Sequence, residues 1–463
     1  MRAALLLVLF CGCTKLIAGT SRELPPALQY DPASFAEQPV PRLPIVPSRL
    51  QLANGVEVFW VAMPEAPLVD VSVMVNCGRT DEPVGQPGLT TLTLRGGFFA
   101  GVGDLSPEAQ GEGLERLGVT PRVSVDDGFS MVRLSMLRPL FEPAMRQVND
   151  ALEKPSFEAS AMTALKTGQA SRIDANATRA EVSMHELVRR AMSSSQSGLG
   201  QPSSAAALRG IELDSVRAHA RKCLQPANLI IALSGDLTER DVRAALQPLA
   251  ARPRGTPVVH PLPPPPPRTQ NVWLSPSPRG SRVDVAVVAR TGPLSAHDRL
   301  VGQVLIGALA GLVWDDLRST QGHVYSVHGD IESGPGFGVV TLRFSTRRDV
   351  AWLAVHEVTT VLQAWWSRWP LSTAVVDAIR QELKTNAFHE SRHAVVAAVA
   401  RGRLLDGSTF DPRPAVERFD EVSSTQVAQL FVRAFTPGRL QVIVTGAVDP
   451  QQQWAELGTV TAP

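Results

Sequence analysis

His389, Glu390 and His393, in the stretch FHESRHAVVAAVARGRLL, make an H-E-x-x-H pattern. On a continuous helix, histidines four residues apart share one face and can hold a zinc ion, and the glutamate beside them can act as general base on zinc-bound water. The chemistry would be metal-assisted hydrolysis. Asp406 and Glu417 are candidates for a third ligand by distance along the chain, without a recognisable motif. The apolar run at 394–399 continues as a helix, which places the histidines at its partly exposed start. His185-Glu186, in SMHELVRRA, is weaker, because the second histidine would fall where Arg189 stands. It reads as a polar pair on a helix surface.

A second stretch is informative for the opposite reason. Residues 88–97, GLTTLTLRGG, follow an apolar strand-like run and a polar turn, VDVSVMVNCGRTDEPVGQP. Turns that lead from a strand end into a helix often carry function. Yet this one holds no His, Glu, Asp or Cys. No G-x-S-x-G, phosphate-loop or dinucleotide pattern occurs either. GFFAGVGD, at 97–104, has no lysine behind its glycines, which argues against nucleotide chemistry.

The chain has 463 residues, 44% hydrophobic and 19% charged, which describes a globular protein of more than one domain. Its net charge is +1 and it has 2 tyrosines, so neither a basic field nor a stacking platform suggests a nucleic-acid partner. Residues 1–13 read as a signal peptide. Met1-Arg2 is a short basic start, and the apolar stretch at 3–10 is too short to span a bilayer. Phe10-Cys11-Gly12-Cys13 then resembles a bacterial lipobox, with Cys13 as the lipidation site and plain secretion as the alternative. Residues 14–46 read as a tether and extended arm. The expected location is the bacterial cell envelope, as a periplasm-facing lipoprotein or a secreted protein. Cys77 and Cys223 would remain after processing; they could pair in an oxidising compartment, but the favoured reading is two buried thiols.

Residues 259–270 form a linker. Five consecutive prolines, at 263–267, can be neither helix nor central strand. The segments on either side, 47–258 and 271–463, repeat one another. LQPANLIIALSGDLTERDV, from Leu224, parallels FTPGRLQVIVTGAVDPQQQ, from Phe435. Gly235 aligns with Gly446 at an offset of 211, and VDVSVMV from Val69 aligns with VDVAVVA from Val283 at an offset of 214. The shared order and spacing indicate an ancient duplication. In each half an alternating strand leads into a helical stretch (300–317 in the second half). A hairpin follows, then long helices such as 350–366, then a closing strand. The predicted fold class is α+β: two homologous α/β-sandwich halves forming a clamshell. Each half has a mixed, largely antiparallel sheet with one face covered by helices.

These ordered features resemble the insulinase (pitrilysin-type) zinc metallopeptidase family over nearly the whole mature chain. LQLANGVEVFWV (50–61) resembles the family's opening strand. NCGRTDEPVGQPGL (76–89) resembles its turn and Gly-Leu lead into the catalytic helix, and LRSTQGHVYSV (317–327) its second-domain Leu-Arg…Gly-x-x-Tyr-Ser motif. That helix carries an inverted His-x-x-Glu-His motif in the family, with a glutamate farther along the chain as third ligand. Carried onto this sequence, the histidine positions are Thr91 and Arg95 and the glutamate is Leu94. The distant ligand falls near Arg172, with Asp174 the nearby acid. Leu94 cannot take a proton, and Arg95 puts a fixed positive charge where the cation would sit. Shifting the alignment does not help, because the first histidine of the mature chain is His185.

The resemblance therefore implies a non-catalytic member, similar to the zinc-less subunits of mitochondrial-processing-peptidase-like proteins, with no cofactor. Zinc is expected only under the alternative reading, a metalloendopeptidase using His389, Glu390 and His393. In the family that region carries no metal. Arg318 and Tyr325 match the second-domain motif, and the resemblance implies that they contact the backbone of an extended peptide in the chamber between the halves. The bland alternative is that they pack a helix end onto the sheet. The implied partners are a peptide or unfolded polypeptide, a zinc-bearing paralogue or a second copy, and the membrane through the N-terminal lipid. A structural envelope protein whose clamshell binds nothing is the remaining alternative.

Overall fold

The alternation seen at Val69 and Val283 builds two six-stranded sheets on one plan. In spatial order the first sheet contains β1 (Ser48–Gln51), β2 (Glu57–Ala62), β6 (Leu229–Gly235), β3 (Leu68–Val75), β5 (Ser130–Leu137) and β4 (Arg122–Val125). The second contains β12 (Thr459–Thr461), β7 (Asn271–Pro276), β11 (Gln441–Gly446), β8 (Arg282–Thr291), β10 (Phe337–Arg347) and β9 (Val324–Gly334). β2 and β6 run parallel, as do β7 and β11, and the strands from there to β4 and β9 pair antiparallel. The outermost strand differs: β1 is antiparallel to β2, whereas β12 comes from the far end of the chain and is parallel to β7. The fold is thus α+β with two like halves. This computed structural model describes residues 45–461 except 65, 177–178, 194–196, 262–268, 278–280, 321, 335, 368–370, 408–410 and 412. The signal peptide, Cys13, nearly all of the 14–46 arm and the five prolines lie outside the described residues.

The helices of ten residues or more among the described residues are numbered in chain order. In the first half they are α1 (Leu89–Phe99), α2 (Pro107–Arg116), α3 (Phe141–Glu153), α4 (Ala159–Asn176), α5 (Ala180–Met192) and α6 (Leu213–Cys223). In the second they are α7 (Ala296–Trp314), α8 (Ala351–Ser367), α9 (Thr373–His389), α10 (Arg392–Asp406) and α11 (Ser424–Ala434). α7 is long and apolar enough to cross a bilayer. It is nonetheless a core helix, with Val301, Val304, Leu305 and Leu309 packed in the second half's core.

The two faces of each sheet are covered by different parts of the chain. Val69, Val71, Val73 and Val75 of β3 join the core made with their own half's helices, and Val283, Val285 and Val287 of β8 do the same in the second half. The sequence predicted a single covered face. The structure corrects this, because each remaining face is covered by a helix from the opposite half. α10 lies over the first sheet, packing Val396, Ala397 and Ala400 against Phe59, Met74, Ile230 and Ala232. α5 lies over the second, packing Met184, Leu187 and Met192 against Ala286, Val288 and Ile443. The physical reason is that V-D-V-S-V passes for a half-solvated strand when only local pattern is read. The second face also carries apolar residues, Phe59, Met74 and Ile230 in the first sheet and Val288 and Ile443 in the second, and they are buried by a helix that returns from far along the chain.

An ion cluster joins the halves. Glu57 of β2, 7% exposed, accepts hydrogen bonds from Arg49 Nε (2.9 Å) and, across the interface, from Arg403 Nε of α10 (2.5 Å). Burial pushes its carboxyl up, but the two guanidiniums outweigh this and hold it below the usual carboxylate value.

Candidate functional site

The site helix α1 is held at its start by the acidic turn before it. Glu82, buried, accepts from the backbone amides of Gly88 and Thr90, both at 2.9 Å, and so satisfies donors that the first helical turn leaves open. Gly88 is the N-cap, with φ of 94°, a left-handed conformation that glycine adopts at little cost. Burial is the largest influence on the Glu82 carboxyl and raises its pKa against those amides. Asp81, beside it, accepts from Gly78 N and faces His260 Nδ1 at 3.0 Å, pinning the segment that enters the proline linker.

Behind α1 lies a buried sulfur and imidazole cluster. Cys77 and Cys223 form a disulfide, with Cα atoms 5.7 Å apart, inside the usual range. This corrects the reading of two buried thiols: strand and helix ends 146 residues apart meet here, which spacing along the chain does not reveal. His219 Nε2 lies 3.6 and 3.5 Å from the two sulfurs and 3.0 Å from Thr90 Oγ1. Burial drives the His219 pKa down to about 4, so the ring is neutral. Two sulfurs and one nitrogen are a donor set for a soft cation, but the sulfurs are committed to each other.

The positions that the resemblance assigned to a metal are occupied as follows. Leu94 is 2% exposed and belongs to the first core. Thr91 is half-buried on the same helix. Arg95 and Arg172, 77 positions apart, line one cavity of about 440 Å³ between α1 and α4. Gly96 lets α1 approach the start of α4, and Gly97 lets it approach the end of α3. A Cβ at Gly96 would meet the Phe157 ring at 2.7 Å and Met162 Sδ at 2.8 Å, and one at Gly97 would meet the Ala151 carbonyl oxygen at 2.8 Å. Desolvation, and then the neighbouring Arg172 charge, lower the Arg95 pKa. Asp174 is engaged by Arg209 at 3.1 Å. These groups do not fit zinc: leucine offers no donor, and two guanidiniums repel a dication.

The H-E-x-x-H residues do not share a helix. α9 ends at His389, Glu390 is extended, and Ser391 caps a new helix by accepting from Ala394 N. The expectation that both histidines sit at the start of one helix is corrected, and the break takes away the shared face that zinc would need. Ser391 was a legible signal, because serine before an apolar run favours an N-cap. His393 instead bridges the halves: its Nε2 lies 2.9 Å from Ser72 Oγ and its Nδ1 3.1 Å from Ser234 Oγ. His389 and Glu390 are exposed. Glu417 lies in the separate short helix Ala415–Arg418, and the Asp406 side chain lies outside the described residues.

Arg318 and Tyr325 flank the turn from α7 into β9. Arg318 follows α7 in a π-helical turn, Asp315–Thr320, lies over the Trp314 ring at 5.9 Å, and donates from Nη1 to the Val324 carbonyl at 3.4 Å. Tyr325 is 52% exposed. The β9–β10 register slips at this point, pairing Ser345 with Ser326 and Thr346 with Val324, so Tyr325 has no ladder partner. Such bulges re-aim side chains. β9 is an edge strand of 11 residues, paired among the described residues only with β10.

The fold defines a class: the two-half α+β architecture of M16, insulinase-type peptidase structures, onto whose metal helix the resemblance lays Thr91, Leu94 and Arg95. Residues 210–369 match the family model described as Peptidase M16 inactive domain. The chain is similar to the crystal structure of a peptidase M16 inactive domain from Pseudomonas fluorescens. That likeness has 19% identity and a TM-score of 0.75, covering 88% of this chain and 99% of that one. It is also similar to a protease from Helicobacter pylori, at 12% identity and a TM-score of 0.73, covering 86% and 99%. No curated protein matches the chain in sequence. The resemblance to the insulinase family is borne out by the matched segment and the fold. The matched segment begins after α1 and α4; it includes Arg318 and Tyr325 but not Thr91, Leu94, Arg95 or Arg172.

Proposed function

We propose that this chain is a non-peptidase relative of the M16 enzymes that binds extended peptide, alone or as the partner subunit of a zinc-bearing relative, in the bacterial envelope. The observation that carries the reading is the donor set on α1 and α4: Leu94 buried in the core, with Arg95 and Arg172 facing one cavity. β9, with its outer edge and the exposed Tyr325 at a bulge, supplies a backbone ladder for an added strand. A guanidinium and a phenol at one end of that edge can hold peptide carbonyls without reading side chains.

The test uses the mature chain and a fluorescently labelled unfolded peptide. Elemental analysis finds no stoichiometric zinc, and fluorescence anisotropy shows saturable binding that weakens about tenfold in Arg318→Ala. One zinc per chain that disappears in His389→Ala would favour the metallopeptidase instead. Absence of peptide binding at any concentration would favour a purely structural role. The envelope reading rests on Cys13. Cys13→Ser moves the protein from the membrane to the soluble fraction, and an unchanged distribution would remove the lipid anchor.

A further inference from the structure

We propose that the cavity between α1 and α4 is a binding site for a carboxylate carried on an apolar group, with the head between Arg95 and Arg172 and the body against Phe99, Ala161 and Leu165. Three observations carry this. The two guanidiniums line the same cavity, and among the described residues neither forms an ion pair with a carboxylate within 4 Å. Asp174, the nearest acid in sequence to Arg172, is bound to Arg209. The Arg95 Nε is buried without a hydrogen-bond partner, so that guanidinium is not fully satisfied within the protein.

The chemistry selects the ligand. A planar guanidinium donates two parallel N–H bonds to a carboxylate or phosphate, and two such groups lining one cavity concentrate donors and positive charge for an oxyanion there. The remaining wall is largely apolar, which favours a carboxylate with a hydrocarbon body over inorganic phosphate. A cavity of about 440 Å³ accommodates a terminal residue with its side chain. Glu108 also lines it; its side chain is exposed and turned to its own helix start through Ser106, so the local balance is two positive groups to one negative. Phe99, one turn after Arg95, holds its ring centroid 6.0 Å from the Arg95 guanidinium carbon and supports that side chain from the apolar wall. The two sources of this chemistry are the C-terminus of a peptide and a free carboxylic acid. Only the peptide source rests on the peptide-binding function proposed above.

The experiment compares two labelled hexapeptides ending in leucine, one a free acid and one a C-terminal amide, by fluorescence anisotropy on the mature chain. N-acetyl-leucine in a thermal-shift assay serves as the free-acid probe. The acid peptide binds at least tenfold more tightly than the amide, and Arg172→Gln, at an exposed position that does not threaten folding, removes the difference. Arg95→Gln does the same, with its fold checked by circular dichroism. N-acetyl-leucine raises the melting temperature of the wild type and of Arg318→Ala, but not of Arg172→Gln. If neither peptide binds while this shift persists, peptide binding fails and the carboxylate site stands as a small-acid site. Equal binding of acid and amide with no N-acetyl-leucine shift overturns the site, as does any acid preference or shift that survives in both arginine variants.

Discussion

Replacing Cys77 and Cys223 together by alanine lowers the unfolding free energy by about 5 kcal/mol, from the entropy of a loop of well over a hundred residues. The disulfide closes 146 residues and joins the turn after β3 to the end of α6. Both cysteines are buried in the first core, so the bond also fixes the register of α6 behind the site helix. The measurement is chemical denaturation of the oxidised wild type, the reduced wild type and the double variant. The latter two unfold at a similar, lower denaturant concentration. Identical midpoints for all three would show that the bridge does not hold the native state together. The neutral His219 beside the sulfurs contributes no charge to this balance near neutral pH, because its pKa is about 4.

His393→Ala costs about 3 kcal/mol, because it strands two buried hydroxyls rather than one contact. Ser72 and Ser234 are 0% and 1% exposed, and each has the imidazole as its side-chain partner. A triple variant, His393→Leu with Ser72→Ala and Ser234→Ala, recovers much of the loss, since removing all partners leaves nothing unsatisfied. If the triple variant is no better than His393→Ala, the serines are not the cause. The pH dependence follows from linkage. Burial, with Arg133 assisting and Asp70 opposing, lowers the His393 pKa below 6.5 in the folded chain. Between the folded and unfolded values the unfolded chain binds more protons. The stability from keeping the ring neutral is therefore complete above pH 6.5 and declines as pH falls below it. His219 acts in the same direction down to about pH 4. Glu57, held low, adds a loss as pH falls below its unfolded value near 4.5. In His393→Ala the decline just below pH 6.5 is shallower, which denaturation at a series of pH values reads directly.

Much of the architecture was legible because it was written twice. VDVSVMV and VDVAVVA became β3 and β8, and the runs ending at Gly235 and Gly446 became β6 and β11, in the same place in each sheet. Repetition gave each strand an independent copy to be read against. The outer strands fall outside the repeat, since β1 and β12 come from opposite ends of the chain and pair with their neighbours in opposite senses. The zinc-like pattern at His389, the alternative reading, loses its shared face for a local reason: Ser391 begins a new helix inside the motif.

The sequence alone determined what cannot happen on α1. Residue type suffices there, because a leucine offers no donor and an arginine offers no lone pair, whatever surrounds them. It also determined the strand pattern, since alternation is a property of neighbouring residues. Tertiary structure decided what the same residues do instead. It put Arg95 beside Arg172, Cys77 against Cys223, and His393 between Ser72 and Ser234. Each of these meetings joins positions far apart in sequence, where no spacing rule operates. Each depends on where helices cross and sheets close, so only the path of the folded chain could specify it.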